Sequence, residues 1–150
     1  MFKVQAEVGT LEIARSGRIT GVIMLRDEDR SFPDDEWNDT PVVVLGWWLE
    51  ELTRLFSGKA STAQCRFMDG PFAFDATRHG NEIVLQCRRR RQSSEQVVLE
   101  GRVPLDAFMW ALVASASQVV AACEERGWKS DELNRLKDLV RVAKSEVCGA

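Results

Sequence analysis

The chain predicts an α+β domain, an antiparallel β-sheet of about six to seven strands with three helices packed mainly on one face. Two observations carry this. Polar and apolar residues alternate in two separate groups of short segments, and each group runs into apolar residues spaced as on a helix. Glycine, proline and asparagine mark the joints between segments. With 150 residues, 45% of them apolar and 29% charged, the chain is long enough for one core and too apolar for a disordered polymer. No boundary divides it, so residues 1–150 read as a single domain.

The elements follow in order. Phe2, Val4, Ala6 and Val8 alternate with polar residues, Leu11 and Ile13 resume the period after Gly9, and Ser16-Gly17 turns into Ile19 to Leu25. These predict a three-stranded meander. After an acidic loop, Thr40-Pro41 supplies an N-cap hydroxyl and a first-turn proline for a helix from Pro41 to Ser57. Its stripe is Leu45, Trp48, Leu49, Leu52, Leu55 and Phe56, with Glu50 and Arg54 paired outside and Gly58 as terminator. Thr62 to Met68, Phe72 to Ala76, Ile83 to Arg88 and Gln96 to Val103 predict four more strands, turning at Asp69-Gly70-Pro71 and His79-Gly80-Asn81. Leu105 to Arg126 reads as a central apolar helix ending at Gly127. Ser130 caps a last helix whose Leu133, Leu136, Val140, Ala143 and Val147 share a face. The expected core is Leu45, Trp48, Leu52, Phe72, Phe74, Val98, Phe108, Leu112 and Leu136.

Catalytic and cofactor signatures are missing from this pattern. Cys65, Cys87, Cys123 and Cys148 are far apart, and His79 is the single histidine, whereas zinc sites use tight pairs of such ligands. Buried thiols are the expectation, with no cofactor, no metal and no enzymatic activity. No nucleophile elbow, phosphate loop or dinucleotide glycine pattern occurs. The opening residues alternate rather than forming an apolar run, which argues against a secretory signal and makes the cytoplasm the expected location. Asp106, Ser115, Ser117 and Gln118 interrupt the long helix enough to predict a core element rather than a membrane span. Arg88 to Arg91 invites a nucleic-acid reading, but a pI near 5.3 lacks the broad basic face that phosphate binding needs. A charged strand end and hairpin loop is the simpler account. Phe72-Ala73-Phe74 lacks the basic lead residue of an RNA-recognition strand, and Pro71 disrupts the spacing, so direct nucleic-acid contact is not expected.

Charge is distributed unevenly. Asp27, Glu28, Asp29, Asp34, Asp35, Glu36 and Asp39 set seven carboxylates against Arg30, a local balance of minus six in a chain whose total is minus three. Such a field attracts basic surfaces and repels phosphates. A calcium loop would place its ligands at alternate positions around a glycine turn, and this segment does not. Trp37 sits inside the run, where an aromatic side chain bordered by charge has the make-up of an interface anchor. Trp47 and Trp48 diverge by about 100° on a helix, so both cannot enter one core. Trp48 matches the stripe; Trp47 is expected against a second layer, with a surface beside the acidic loop as the other reading.

Phe32-Pro33-Asp34-Asp35-Glu36-Trp37-Asn38-Asp39, the apolar Val42 to Trp48 that follows, and Arg66-Phe67-Met68-Asp69-Gly70-Pro71-Phe72 together resemble the bacterial immunity proteins encoded beside polymorphic or contact-dependent growth-inhibition toxins. The resemblance implies a single cytoplasmic α+β domain, a monomer or weak dimer, that binds and blocks one cognate toxin C-terminal domain, often a nuclease. Immunity families share no functional motif, so the expected toxin-binding set rests on charge and aromatic placement: Asp27, Glu28, Asp29, Asp34, Asp35, Glu36, Trp37, Asp39 and Trp47. A type III secretion chaperone, similar in length and acidity, is the alternative; it would hold an effector segment in an apolar groove.

Overall fold

Each group of alternating segments forms its own antiparallel sheet, and each sheet leads into a helix. A computed structural model describes residues 1–149. The first sheet contains β1 (Phe2–Ile13), β2 (Ile19–Asp27), β3 (Arg30–Phe32) and β4 (Asn38–Asp39), with β2 pairing all three others. Helix α1 (Pro41–Phe56) follows. The second sheet is the meander β5 (Thr62–Arg66), β6 (Phe72–His79), β7 (Glu82–Arg91) and β8 (Ser94–Pro104), and the chain closes with α2 (Leu105–Glu125) and α3 (Asp131–Cys148). The α+β class is as expected, but eight strands divide into two four-stranded sheets instead of forming one sheet of six or seven.

The expected three-stranded opening meander is instead one long strand and its partner. Gly9 does not end β1; it lies where the β1–β2 register shifts, between Glu7 and Glu12. The Thr10 hydroxyl fills the gap in the ladder, accepting from the Val22 N–H at 2.9 Å and donating to the Glu7 carbonyl at 2.6 Å. Two carbonyls released by the bulge, Val8 and Leu11, accept from the Arg126 guanidinium at 3.0 Å each, which ties β1 to the end of α2. Gly101 on β8 leaves room for the Phe2 ring, since a Cβ there would meet that ring at 2.6 Å. The two sheets therefore adjoin at β1 and β8.

The second sheet is buried on one face. Ala63, Cys65, Phe74, Ala76, Ile83, Leu85, Cys87, Leu99 and Val103 point into the core, while Gln64, Arg66, Gln86, Glu100 and Arg102 point outward. Helices α1 and α2 pack on the inner side, and α3 lies against both of them. Leu45, Trp48, Leu52, Phe74, Phe108, Leu112 and Leu136 are completely buried, as their spacing predicts. Val98 is not: it is 47% exposed, because a bulge opposite Cys87 and Arg88 makes it the extra residue of β8. Phe72 is half-buried.

Trp48 also closes the open edge of β5. Its indole N–H donates to the Arg66 carbonyl at 2.7 Å, and the Glu51 carboxylate accepts from the Gln64 N–H at 3.4 Å. Side chains of α1 thus engage backbone groups that an unpaired edge would present to another chain. Around the same indole, the rings of Phe67 and Phe74 stand edge-on at 5.0 and 5.1 Å.

Several local expectations change. Thr40 makes no side-chain cap; Pro41 does occupy the first turn. Glu50 pairs with Arg135 of α3, and Arg54 pairs with Glu51 rather than Glu50. Arg88 to Arg91 all lie within β7, and the hairpin turns at Gln92 and Ser93, where Gln92 takes a φ of 51°. Ser130 caps α3 as expected, accepting from the Leu133 N–H at 3.1 Å.

Replacing Trp48 with alanine removes a packed ring and an edge hydrogen bond, and should cost about 3–5 kcal/mol in a denaturant titration. Val98→Ala should stay within about 0.5 kcal/mol of wild type. Cys65, Cys87 and Cys123 are buried and Cys148 is exposed. Burial pushes the Cys87 thiol up to about 12 and the Cys65 thiol well above its usual range. A thiol-reactive dye should label Cys148 alone in the native protein and all four cysteines after unfolding; rapid native labelling of a second cysteine would contradict the packing.

Candidate functional site

The acidic segment does not behave as one charged loop. Its two ends are structural and its middle is free. Asp27, at the end of β2, takes the α-amino group of Met1 at 3.0 Å and the Arg30 guanidinium at 3.0 Å. The hydrogen bond from that ammonium, with Arg30 beside it, holds the Asp27 carboxyl below its ordinary range. Glu28 makes the turn with a φ of 60° and stays exposed.

Asp39 is the other end, and it is 0% exposed. One carboxylate oxygen accepts from the Thr40 N–H at 2.7 Å, the Thr40 hydroxyl at 3.3 Å and the Met68 N–H at 3.2 Å. The second accepts from the Trp37 indole N–H at 2.9 Å and the Asp69 N–H at 3.2 Å. This carboxylate joins β4, the entry to α1 and the β5–β6 turn. Asp39 is therefore corrected from a toxin contact to a buried support, because its lone pairs are already taken by donors inside the protein.

Trp37 is corrected in part for the same reason. It is half-buried, its N–H is committed to Asp39, and its ring stands edge-on to Phe72 at 5.0 Å. The fit is tight: Gly70 has a φ of +74°, and a Cβ there would come within 2.9 Å of both Trp37 and Phe72. Phe32 is buried against the same ring at 5.6 Å and against Phe67 at 5.8 Å. Phe32 and Trp37 thus clamp the loop between them onto Phe72.

What projects from this clamp is Asp34, Asp35 and Glu36, with Asp29 on the preceding turn, all exposed. The nearest cation is Arg26, 4.0 Å from Asp35. Asp34 accepts from the Asp35 N–H at 2.6 Å, which stiffens the turn. The carboxylates are held on a fixed base, and Asp29, Asp34 and Glu36 form no ion pair among the described residues.

Trp47 lies elsewhere. It is 36% exposed on the outer side of α1 and shares a shallow depression with Glu50, Glu51, Gln64 and Arg66. The expectation that it packs against a second layer is corrected: α3 lies over Gly46, the preceding residue of α1, where a Cβ would stand 3.5 Å from Leu139 of α3, and Trp47 points away from that contact. None of the residues of the acidic segment from Asp27 to Asp39 lines that depression.

Sequence reasoning read Arg88 to Arg91 as a charged strand end and hairpin loop, and missed that one of them shares the Phe72 ring with Trp37. Arg89 sits over the Phe72 ring at 5.9 Å and is the cross-strand partner of Phe72 in the β6–β7 register. Arg88 is neutralised by Asp75 and Glu95, whereas Arg89 and Arg91 form no ion pair among the described residues. The alternation of β7 carries the signal, because it sends Arg88 and Arg89 to opposite faces. His79 is exposed at the end of β6, and no group of three or more histidine, cysteine or carboxylate side chains is placed to hold a metal among the described residues. Helix α2 is the one helix long and apolar enough to cross a membrane among the described residues, and half of its apolar window is buried in the fold. No protein-family model, curated protein or solved structure matches this chain.

Asp39→Asn keeps the shape of the side chain but turns an amide donor toward N–H groups that need an acceptor. It should destabilise the protein by about 2–4 kcal/mol. Asp34→Asn, on the exposed turn, should change stability by less than about 0.5 kcal/mol. Thermal or denaturant unfolding of the two variants checks the contrast, and equal effects would mean that Asp39 is not the support described.

Proposed function

We propose that this chain is an inhibitory binding protein of the immunity type, which docks its acidic projection onto the basic substrate-binding surface of a cognate toxin domain. The single observation that supports the reading is the clamped presentation of Asp34, Asp35 and Glu36. A loop kept for solubility alone has no need of two aromatic clamps and a buried carboxylate beneath it. A nuclease must expose lysines and arginines to phosphates, so fixed carboxylates compete for the same surface by charge complementarity. Preorganisation lowers the ordering cost of binding, and the local excess of negative charge raises the encounter rate. In this reading the protein carries out no chemistry of its own, and it acts in the compartment where the toxin acts, the cytoplasm.

Trp37 serves in this scheme as the base of the projection rather than as its tip. Its exposed edge adds apolar contact beside the carboxylates, and its buried edge keeps them in place. Glu28 and Asp29 extend the field, and Asp27 anchors the turn that carries them.

Binding kinetics with the toxin domain encoded beside this chain test the proposal. Lysine substitutions at Asp34, Asp35 and Glu36 should slow association by roughly 10- to 100-fold and weaken its dependence on salt. Trp37→Ala should mainly accelerate dissociation, because the loop loses its clamp. A complex indifferent to both sets would place the interface elsewhere, and absence of any complex would reject the immunity reading. A secretion chaperone would bind through an apolar groove, so its complex with an effector segment would also be indifferent to these substitutions.

A further inference from the structure

Helix α2 has an uncovered side. Ala107, Trp110, Ala114, Ser117, Ala121 and Glu124 recur at alternating spacings of three and four, so they form one stripe along the helix. Trp110 is 43% exposed, and Ala114 and Ala121 are exposed as well. Toward its C-terminal end the stripe borders a groove of about 460 Å³ between α2 and α3, lined by Ser117, Val120, Ala121, Val140, Arg141 and Lys144. The Ser117 hydroxyl is buried at this groove without a hydrogen-bond partner.

We propose that this face is a self-association surface whose occupant is α2 of a second copy of the chain, antiparallel to the first about a two-fold axis near Ala114. The stripe carries both a knob and a hole. Trp110 lies seven to eleven residues before the groove residues Ser117 and Ala121, about 10–16 Å along the helix. A two-fold axis halfway between them seats each Trp110 in the groove of the other copy, and the halfway position is Ala114, small enough for close helix approach. The incoming indole meets Arg141 and Lys144, which can stack on its face, and its N–H supplies a donor for the Ser117 hydroxyl.

Charge selects the same partner. Helix α2 contains Asp106, Glu124 and Glu125 and no lysine or arginine, so two such helices alone would repel. The groove wall of α3 supplies Lys137, Arg141 and Lys144. Lys137 pairs with Glu124 at 2.9 Å, Arg141 reaches only Asp138 at 3.7 Å, and Lys144 has no ion pair among the described residues. With the axis at Ala114, the second copy's Asp106 arrives opposite position 122, between Lys137 and Arg141. A parallel arrangement would put Trp110 against Trp110 and leave both grooves empty.

Sedimentation equilibrium of the full chain over a range up to millimolar concentration tests this, with Trp110→Ala and Ala114→Glu as variants and circular dichroism confirming their fold. The wild type should dimerise reversibly, and each substitution should raise the dissociation constant by roughly tenfold or more. In a Cys148→Ser background, Ala114→Cys should cross-link to itself through a short bismaleimide. A protein that stays monomeric at millimolar concentration, or a dimer indifferent to both substitutions, overturns the proposal; a sensitive dimer that fails to cross-link overturns the two-fold axis. Lysine substitutions at Asp34, Asp35 and Glu36 should leave the dimer unchanged, which keeps this surface distinct from the acidic projection.

Discussion

The fold depends on one buried carboxylate. Asp39, in β4, accepts from Trp37 just before that strand, from Thr40 at the entry to α1 and from the turn between β5 and β6, so the first sheet, the first helix and the second sheet meet at two oxygen atoms. A buried charge survives only when such donors surround it, and here the donors are an indole, a hydroxyl and three backbone N–H groups. The position just before a helix adds the field of the α1 N-terminus. Everything above this point, including Trp37, Gly70 and Phe72, takes its placement from it.

That anchoring gives the acidic segment two roles. Asp27 and Asp39 hold the chain down, and the carboxylates between them are left to face outward. Their field is offset only in part, by Arg26 at 4.0 Å from Asp35, while the arginines of β7 are sorted by the strand: Arg88 is neutralised, Arg89 covers Phe72, and Arg91 forms no ion pair among the described residues. The result is that Trp37, at the base of the acidic projection, and Arg89 of β7 meet on the same Phe72 ring.

At the helical layer the constraint is coverage. Two sheets and α1 occupy one side of α2, and α3 lies along part of what remains. The sheets and the two other helices do not enclose a helix as apolar as α2, so Trp110, Ala114 and Ala121 face outward. The burial of Phe108, Leu112, Ala116 and Val119 and the exposure of Trp110 and Ala114 come from the same helix, about half a turn out of phase.

The sequence by itself determined the α+β class, the three helices within a residue or two, the turns at Gly70 and Gly80, the Ser130 cap and most of the core, because these follow from periodicity and turn chemistry that act locally. It also located the acidic segment. Only the tertiary structure decided that the strands form two sheets, since alternation sets which face a strand buries and not which strands pair. It decided that Asp39 is a support rather than a contact, because its donors at Met68 and Asp69 lie about thirty positions away along the chain. Trp47 and Val98 were placed by what did or did not pack over them, α3 in one case and a bulge in the other, and neither is written in the spacing of apolar residues around them.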